Sequence, residues 1–280
     1  MTEPLTLKHS FNSGDLLTLF PALKRQYKLT GRKFMIYQRL NLHVDYGHND
    51  GHPITHNGKN VCMNWEMFLK LASLVNAQEY IAGFQTWQGE PVDVDIDLTR
   101  HHAQMPMPGG EIHYWPTLVF PQLIPDFSEA WLDVKAYVMD INIFGNYILI
   151  NRTDRYRNPY ISFFFLKPYE HLIRFVGTEK EYENFCAENN LNVGYFGAQN
   201  FLQLAAAINF SRFFIGNQSM CWHIADGLQV NRILEVCTAY PNTFPKGKNG
   251  YAYLTQNSLE LYFHKLLKET NERKESEATA

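Results

Sequence analysis

Residues 209–237, NFSRFFIGNQSMCWHIADGLQVNRILEVC, decide the fold of this chain. The run RFFI at 212–215 is typical of a strand, and it stops at the small-residue turn GNQS at 216–219. From Met220 the apolar residues recur at helical spacing, and a second apolar run at 233–236 follows at once. The pattern predicts strand, turn, helix and strand, which together make one βαβ unit.

The predicted turn, Gly216-Asn217-Gln218-Ser219, joins the carboxyl end of a strand to the N-terminus of a helix. Free backbone N–H groups and the positive end of the helix dipole favour an anion at such a place, most often a phosphate. Every α/β protein also has strand–helix turns that bind nothing. The geometry alone therefore leaves an ordinary turn as an open alternative.

The composition is that of a globular protein. With 280 residues, 45% hydrophobic and 19% charged, the chain can form one large domain or two medium ones, and it is not compositionally disordered. Its aromatic share of 15% suits saccharide clefts and aromatic cores alike. The net charge of −3 argues against general electrostatic binding to nucleic acid.

The cysteines and the apolar runs bear on cellular location. The four cysteines, at 62, 186, 221 and 237, are scattered without metal-ligand spacing. No apolar run approaches the roughly 20 residues of a membrane-spanning helix. The N-terminus lacks a charged-then-apolar leader. We expect a cytoplasmic protein with reduced thiols and no transmembrane segment.

The N-terminal region places an aspartate where it can do chemistry. A strand is predicted over 5–9 and an amphipathic helix ending at Gly31, with Asp15 at the start of that helix. A carboxylate just past a strand can act as a general base that takes the proton from an attacking hydroxyl. An aspartate there can equally cap the helix, which is the commoner use.

Two stretches resemble motifs of the heptosyltransferase-like glycosyltransferases. Gly14-Asp15 with Pro21-Ala22-Leu23 matches their opening helix, G-D-x-x-x-x-x-P-A-L, whose aspartate is the catalytic base. The turn at 216–219, followed by His223, Ala225 and Gly227, resembles their nucleotide-sugar turn, G-N-D-S-G-x-x-H-x-A-x-x-x-G.

The second motif departs from the family at two positions. Gln218 replaces the acidic residue, and Met220 replaces the second glycine. The first change removes a charge that would meet the donor sugar, which puts the usual donor of the family in question.

The resemblance implies the GT-B architecture, with two Rossmann-like α/β domains facing a cleft. An N-terminal acceptor-side domain would span 1–140, a nucleotide-sugar-binding domain 141–270, and a disordered polar tail 271–280. The implied activity is inverting, metal-independent transfer of a sugar from a nucleotide-diphosphate donor to a hydroxyl acceptor. The nucleotide sugar would be a co-substrate, and no cofactor is expected.

Candidate donor-binding residues lie in the second half of the chain. Three arginines, Arg152, Arg155 and Arg157, follow a predicted strand at 147–150, and guanidinium forks suit phosphate oxygens. A solvated basic loop is the alternative. Gly177 and Thr178 follow a strand at 172–176 and resemble the glycine turn of the family. The remaining donor candidates are Gly216, Asn217, Gln218, Ser219 and His223.

Candidate acceptor-binding residues lie in the first half, where Asn12, Ser13 and Gly14 adjoin Asp15. A strand is predicted over 92–98, and its D-x-x-x-D-L form at 93–98 resembles the acceptor-domain strand of the family. That resemblance brings Asp97, Thr99 and Arg100 to the strand's carboxyl end.

Two stretches of the first half could suggest a metal site. Asp93-Val94-Asp95 resembles the D-x-D motif of metal-dependent transferases, which we interpret as coincidental because the heptosyltransferase-like group needs no metal. The histidine-rich loop at 41–60 has no helical H-x-x-x-H pair, so we favour a solvated or acceptor-facing loop over a metal site.

Two alternatives stay open. The changes at Gln218 and Met220 also fit a non-catalytic GT-B-like protein that binds a nucleotide or a glycan. Enzymes that glycosylate hydroxymethylated bases of viral DNA share the architecture, and residues 24–33 carry a local basic cluster of Lys24, Arg25, Lys28, Arg32 and Lys33. The acidic balance of the whole chain favours a glycan or small-molecule acceptor over DNA.

Overall fold

A computed structural model of the protein describes residues 2–44, 54–88, 90, 93–99, 110–135 and 144–278. The chain forms two compact units, one of Met1–Tyr137 with Gln199–Gln203 and one of Val138–Ala198 with Leu204–Ala280. No helix in the described ranges is long and apolar enough to cross a membrane. Arg100 and residues 45–53 of the histidine-rich loop lie outside the described residues.

The first unit contains a parallel sheet of four strands in the order β5-β2-β1-β6. Its elements in chain order are β1 (Leu5–His9), α1 (Ser13–Thr30), β2 (Phe34–Arg39), the hairpin strands β3 (Thr55–His56) and β4 (Lys59–Asn60), α2 (Trp65–Asn76), β5 (Ile81–Trp87) and β6 (Ile96–Asp97). A 3₁₀ segment, Ile112–Leu118, follows.

The first strand and helix match the sequence pattern. The predicted strand at 5–9 is confirmed, and α1 ends at Gly31, whose φ of 69° is the left-handed conformation that glycine adopts without strain. Leu16, Phe20 and Leu23 recur at helical spacing and are fully buried. This apolar face fixes the position of the helix start that carries Asp15.

The strand order of the first unit creates a topological switch point. From β1 the chain adds β2 and β5 on one side and later places β6 on the other side of β1. Leu7 pairs with Ile96 and Lys8 with Asp97, so the two carboxyl ends lie side by side. Open α/β sheets bind their ligands in the crevice outside such an end.

The second unit contains a parallel sheet of six strands in the order β12-β11-β10-β7-β8-β9, which is the Rossmann arrangement. This half of the chain comprises β7 (Ile148–Asn151), β8 (Ile173–Val176), α3 (Glu179–Asn189), β9 (Gly194–Phe196), α4 (Phe201–Phe210), β10 (Phe214–Asn217), α5 (Met220–Leu228), β11 (Arg232–Glu235), β12 (Gly250–Tyr253) and α6 (Gln256–Ala278). Its switch point lies between β7 and β10.

The βαβ unit predicted from residues 209–237 is confirmed. Strand β10 pairs in parallel with β11 from Phe214 opposite Arg232 to Asn217 opposite Glu235, and α5 lies between them in the chain. The strand extends through Gly216, where a Cβ would lie 2.6 Å from the ring of Phe214. Only glycine fits this position without a shift of the ring.

Two predicted elements differ in length. The strand predicted over 92–98 is reduced to Ile96–Asp97, because the side chain of Asp95 instead accepts hydrogen bonds from the backbone N–H (2.8 Å) and hydroxyl (2.9 Å) of Thr6. The tail predicted to be disordered from 271 continues α6 to Ala278. Arg212 holds that helix by donating to the Thr270 hydroxyl at 2.9 Å.

Candidate active site

Asp15 is both a helix cap and a carboxylate with one uncommitted oxygen. The backbone N–H of Asn12 donates to Asp15 Oδ2 at 3.1 Å, and the Asn12 side-chain amide donates to the same oxygen at 3.2 Å. Among the described residues, none donates a hydrogen bond to Oδ1. The capping role and the role of base are therefore compatible, because each uses a different oxygen.

A narrow pocket opens beside Asp15. Its lining is mostly apolar and comprises His9, Asp15, Thr18, Leu19, Ile112, Trp115 and Pro116. Cys62 is buried close to this carboxylate: burial, and then the charge of Asp15, raises the pKa of the Cys62 thiol to about 12. The Cys62 thiol therefore stays protonated at neutral pH.

The acceptor candidates lie at the same end of the first sheet. Asp97, exposed at the end of β6, accepts hydrogen bonds from the backbone N–H (3.0 Å) and hydroxyl (2.6 Å) of Thr99. The buried Ser10 hydroxyl donates to the Thr99 carbonyl at 3.4 Å. The structure thus brings the β6 end together with the loop that carries Asn12, Ser13 and Gly14. The Thr99 hydroxyl is already engaged by Asp97.

In the second unit, hydrogen bonds join the carboxyl ends of three neighbouring strands. Ser219, the N-cap of α5, accepts from Trp222 N–H at 3.2 Å and donates to Asn151 Oδ1 at 2.8 Å. The Asn151 amide donates to the Val176 carbonyl at 2.8 Å. This network links β10, β7 and β8, and so brings the 216–219 turn beside the glycine turn at Gly177.

Arg152 is not available to a ligand, contrary to the sequence-based prediction. Its Nε donates to Glu235 Oε2 at 2.8 Å and its Nη2 to Oε1 at 2.9 Å, with both side chains buried. Burial lowers the pKa of Arg152, but the hydrogen bonds and charge of Glu235 outweigh burial and leave that pKa above its ordinary value. Arg152 stabilises the strand ends.

Arg157 is also committed within the protein. Its Nη1 lies 2.8 Å and 2.7 Å from the two carboxylate oxygens of Glu188, its Nη2 donates to Asp154, and its Nε donates to the Thr153 carbonyl at 3.0 Å. These bonds engage all three guanidinium nitrogens with Glu188, Asp154 and the Thr153 carbonyl. Arg157 therefore stabilises the loop, and the donor-binding role predicted for it from the sequence is not supported.

Arg155 remains the candidate cation of this loop. Within the described residues its guanidinium makes no hydrogen bond or ion pair, and it lies 5.4 Å from the ring centre of Tyr156. Tyr156 has a φ of 59°, which is uncommon for a bulky residue. The half-buried fork of Arg155 is thus free to meet an anion.

Asn217 holds that loop in place and does not face a ligand. Its fully buried amide donates to the carbonyls of Arg155 (2.7 Å) and Thr153 (3.1 Å) and accepts from Thr153 N–H at 3.0 Å. The donor-contact role predicted for Asn217 is corrected to a positioning role. These bonds also maintain the strained Tyr156 conformation.

The glycine turn after β8 is closely packed. Gly177 has a φ of 144°, and a Cβ there would lie 2.9 Å from the Asn151 amide and 3.0 Å from Glu181 Oε2. Thr178 caps α3, since its hydroxyl oxygen accepts from the Glu181 N–H at 3.2 Å, while its own N–H and hydroxyl each donate to Glu181 Oε2 at 3.0 Å. Burial raises the pKa of Glu181 and outweighs these hydrogen bonds, which lower it. The charge of Asp154 raises this pKa further, and the charge of Arg155 lowers it.

The two remaining donor candidates are both buried. Gln218, the residue that departs from the family motif, makes no side-chain hydrogen bond within the described ranges. His223 lies on α5, one turn after its N-cap. Their roles toward a donor stay predictions.

Sequence reasoning missed several residues of these two regions. His9 ends β1 and Glu235 ends β11, so both could have been found by asking which polar residues finish a strand. Tyr240 follows β11 and packs edge-on against Tyr156 with ring centres 6.4 Å apart. Nothing in the local sequence indicated that contact, because it joins residues far apart in the chain.

Solved glycosyltransferases share this fold. Heptosyltransferase WaaC of E. coli with ADP superposes with a TM-score of 0.64 at 11% identity, covering 95% of this chain and 100% of that one. The same enzyme with ADP-2-deoxy-2-fluoro heptose gives 0.61 at 11% identity, over 94% and 99%. A glycosyl transferase family 9 protein from Veillonella parvula gives 0.59 at 13% identity, over 92% and 87%.

The similarity to known proteins is detected by structure and not by sequence. No protein-family model matches the sequence, and no curated protein is significantly similar to it. The structural likeness spans almost the whole chain on both sides of each comparison. The protein has the heptosyltransferase-like fold of the GT-B glycosyltransferases.

Proposed function

We propose that this protein is a glycosyltransferase that moves a sugar from a nucleotide-diphosphate donor to a hydroxyl acceptor, with inversion and without a metal. One observation carries the proposal: each sheet has a polar site at its switch point. The first site offers a carboxylate oxygen, Asp15 Oδ1, and the second offers an unpaired arginine, Arg155, near a helix N-terminus.

Positive charge in the second unit suits the diphosphate of the donor. A diphosphate carries negative charge that the Arg155 fork and the free N–H groups at the start of α5 can neutralise. The solved WaaC structure with ADP supports a nucleoside diphosphate as the ligand class. The donor candidates that this proposal retains are Arg155, Gly177, Thr178, Gly216, Gln218, Ser219 and His223, with Asn217 as support.

The chemical step follows from the two sites. Asp15 Oδ1 takes the proton of the acceptor hydroxyl while that oxygen forms a bond to the anomeric carbon. The bond between this carbon and the diphosphate oxygen breaks, and its electron pair leaves with the diphosphate, where Arg155 and the helix dipole stabilise the charge. A single displacement inverts the anomeric configuration.

The acceptor is proposed to be a glycan or a small molecule. The basic cluster that could have favoured DNA is partly neutralised, because Lys24 and Lys28 both contact Glu129, at 2.7 Å and 2.5 Å. Arg32 donates to the Glu3 carbonyl at 2.9 Å. Three of the cluster's cations therefore have partners within the protein.

A second candidate function is nucleotide or glycan binding without turnover. The observation that favours it is Gln218, a buried neutral residue where the family motif has an acid. The two functions differ in product, since only a transferase releases a nucleoside diphosphate from a nucleotide sugar.

The experiment that tests the proposal has two stages. A thermal-shift screen with nucleoside diphosphates and nucleotide sugars should raise the melting temperature for at least one compound, because ligands that bind the native state stabilise it. The stabilising nucleotide sugar is then incubated with the protein and excess EDTA, with and without saccharide acceptors. Nucleoside-diphosphate release supports transfer, and a product of retained anomeric configuration or a strict need for a divalent ion would contradict the mechanism. Binding without release would favour the second candidate.

A further inference from the structure

A buried polar pair lies beside the short loop that joins β1 to α1, the helix that carries Asp15. His9 ends β1 and Gln38 lies on the adjacent β2; the two side chains are 1% and 0% exposed. His9 Nδ1 lies 2.8 Å from Gln38 Oε1. The Gln38 amide nitrogen donates to the carbonyls of Phe11 (3.2 Å) and Arg39 (2.9 Å).

The hydrogen-bond inventory fixes the direction of the bond between the pair. The amide nitrogen of Gln38 gives both its hydrogens to carbonyls, so Oε1 must be the acceptor. His9 Nδ1 is therefore the donor and carries a hydrogen. The ring orientation of His9 follows from the fixed amide.

Gln38 thereby forms hydrogen bonds with His9 and Phe11, two residues at the start of the loop between β1 and α1. His9 is the last residue of β1, and Phe11 immediately precedes the cap residue Asn12, whose N–H binds Asp15 Oδ2. His9 and Asp15 also line the same pocket. A change in the pair would reach the Asp15 carboxylate through Phe11 and Asn12.

We propose that His9 and Gln38 are positioning residues for Asp15. Packing alone would be met by apolar side chains, whereas the three hydrogen bonds of the buried Gln38 amide fix one geometry of the loop. The inference rests on the proposed role of Asp15 as the base. The pair keeps Oδ2 in the helix cap, which leaves Oδ1 for the proton of the acceptor hydroxyl.

The test uses paired substitutions. His9→Leu removes the donor, while His9→Asn keeps an amide N–H close to the position of Nδ1. Gln38→Leu removes all three hydrogen bonds. The matched control is Gln78→Leu, since Gln78 is also a buried glutamine of the first unit that donates to two carbonyls, those of Leu74 (2.8 Å) and Asp133 (3.1 Å), away from Asp15.

The first readout is amide hydrogen exchange at Asn12, measured without any ligand. We expect exchange at least about ten-fold faster in His9→Leu and Gln38→Leu, unchanged in Gln78→Leu, and restored to within about three-fold of wild type in His9→Asn. Unchanged exchange in His9→Leu, or an equal rise in Gln78→Leu, would overturn the proposal. This readout is independent of turnover, so an inactive wild type would contradict the proposed function alone.

The second readout is the kinetics of nucleoside-diphosphate release from the nucleotide sugar found by the screen. His9→Leu should lower kcat while leaving KM for the donor unchanged, because the donor does not contact this loop in the proposal. His9→Asn should recover most of kcat. A rise in the donor KM with kcat unchanged would overturn the positioning role.

Discussion

At the scale of single residues, three arginines of one loop have three different roles. Arg152 is buried against Glu235, Arg157 is bonded to Glu188 and Asp154, and Arg155 is unpaired within the described chain. Sequence composition predicts a cationic loop but cannot tell which cation is free, because two of the neutralising carboxylates, Glu235 and Glu188, come from a distant strand and helix. Only the tertiary structure separates them.

Arg155→Ala should weaken nucleoside-diphosphate binding. A charge-assisted hydrogen bond contributes about 1.5–3 kcal/mol, so the loss should be roughly ten-fold or more in affinity. The measurement is calorimetric titration of ADP and UDP into each variant. Arg157→Ala is the matched control and should change affinity by less than about three-fold, since its fork is used within the protein. The reverse order of the two effects would place the phosphate elsewhere.

At the scale of elements, the sequence predicted those with strong local patterns. Strand β1, the end of α1 and the β10-α5-β11 unit all follow apolar periodicity and punctuation by small residues. Strands β9 and β12 were missed because they are short and rich in glycine and tyrosine. The loss of most of the 92–98 strand depends on one side chain, Asp95, which binds a neighbouring strand.

The buried ion pair between Arg152, the residue after β7, and Glu235, the last residue of β11, gives a stability prediction. Arg152→Met leaves the Glu235 charge buried without its partner, and breaking such a pair costs about 3–5 kcal/mol. The double variant Arg152→Met/Glu235→Leu should lose less than the single variant, because no charge is left uncompensated. Denaturant unfolding measures both. A single variant as stable as wild type would show that Glu235 does not depend on Arg152.

The start of α3 gives a pH prediction through Glu181. Burial raises its folded-state pKa above the ordinary value of 4.5, so between these two pKa values the folded protein binds more protons than the unfolded chain. The Glu181 contribution to the free energy of unfolding is therefore greatest below pH 4.5 and falls as the pH rises through the raised pKa.

Glu181→Gln keeps a capping oxygen and removes the titration, so its free energy of unfolding should fall less over this window than that of wild type. Denaturant unfolding from about pH 4 to about pH 7 measures the difference. Glu179→Gln, an exposed neighbour on the same helix, should behave as wild type. Parallel pH profiles for wild type and Glu181→Gln would contradict the predicted shift.

At the scale of the whole molecule, two parallel sheets each present a switch point with its own polar residues. Short motifs at 14–23 and 216–227 predicted the heptosyltransferase-like fold, which the structural comparisons confirm. The same motifs indicated Asp15 and the 216–219 turn. Neither motif includes Gln38 or Glu235, and their bonds to the neighbouring strand β1 and to Arg152 are visible only in the structure.

The most direct test of the central claim is nucleoside-diphosphate release by wild type and Asp15→Asn, in excess EDTA, with the nucleotide sugar and acceptor selected by the screen. Asparagine keeps the size of the side chain and a capping oxygen but cannot take a proton from an acceptor hydroxyl. The account predicts turnover by wild type, almost none by Asp15→Asn, and nucleotide affinities within a few-fold of each other. Near-wild-type turnover by Asp15→Asn would contradict it.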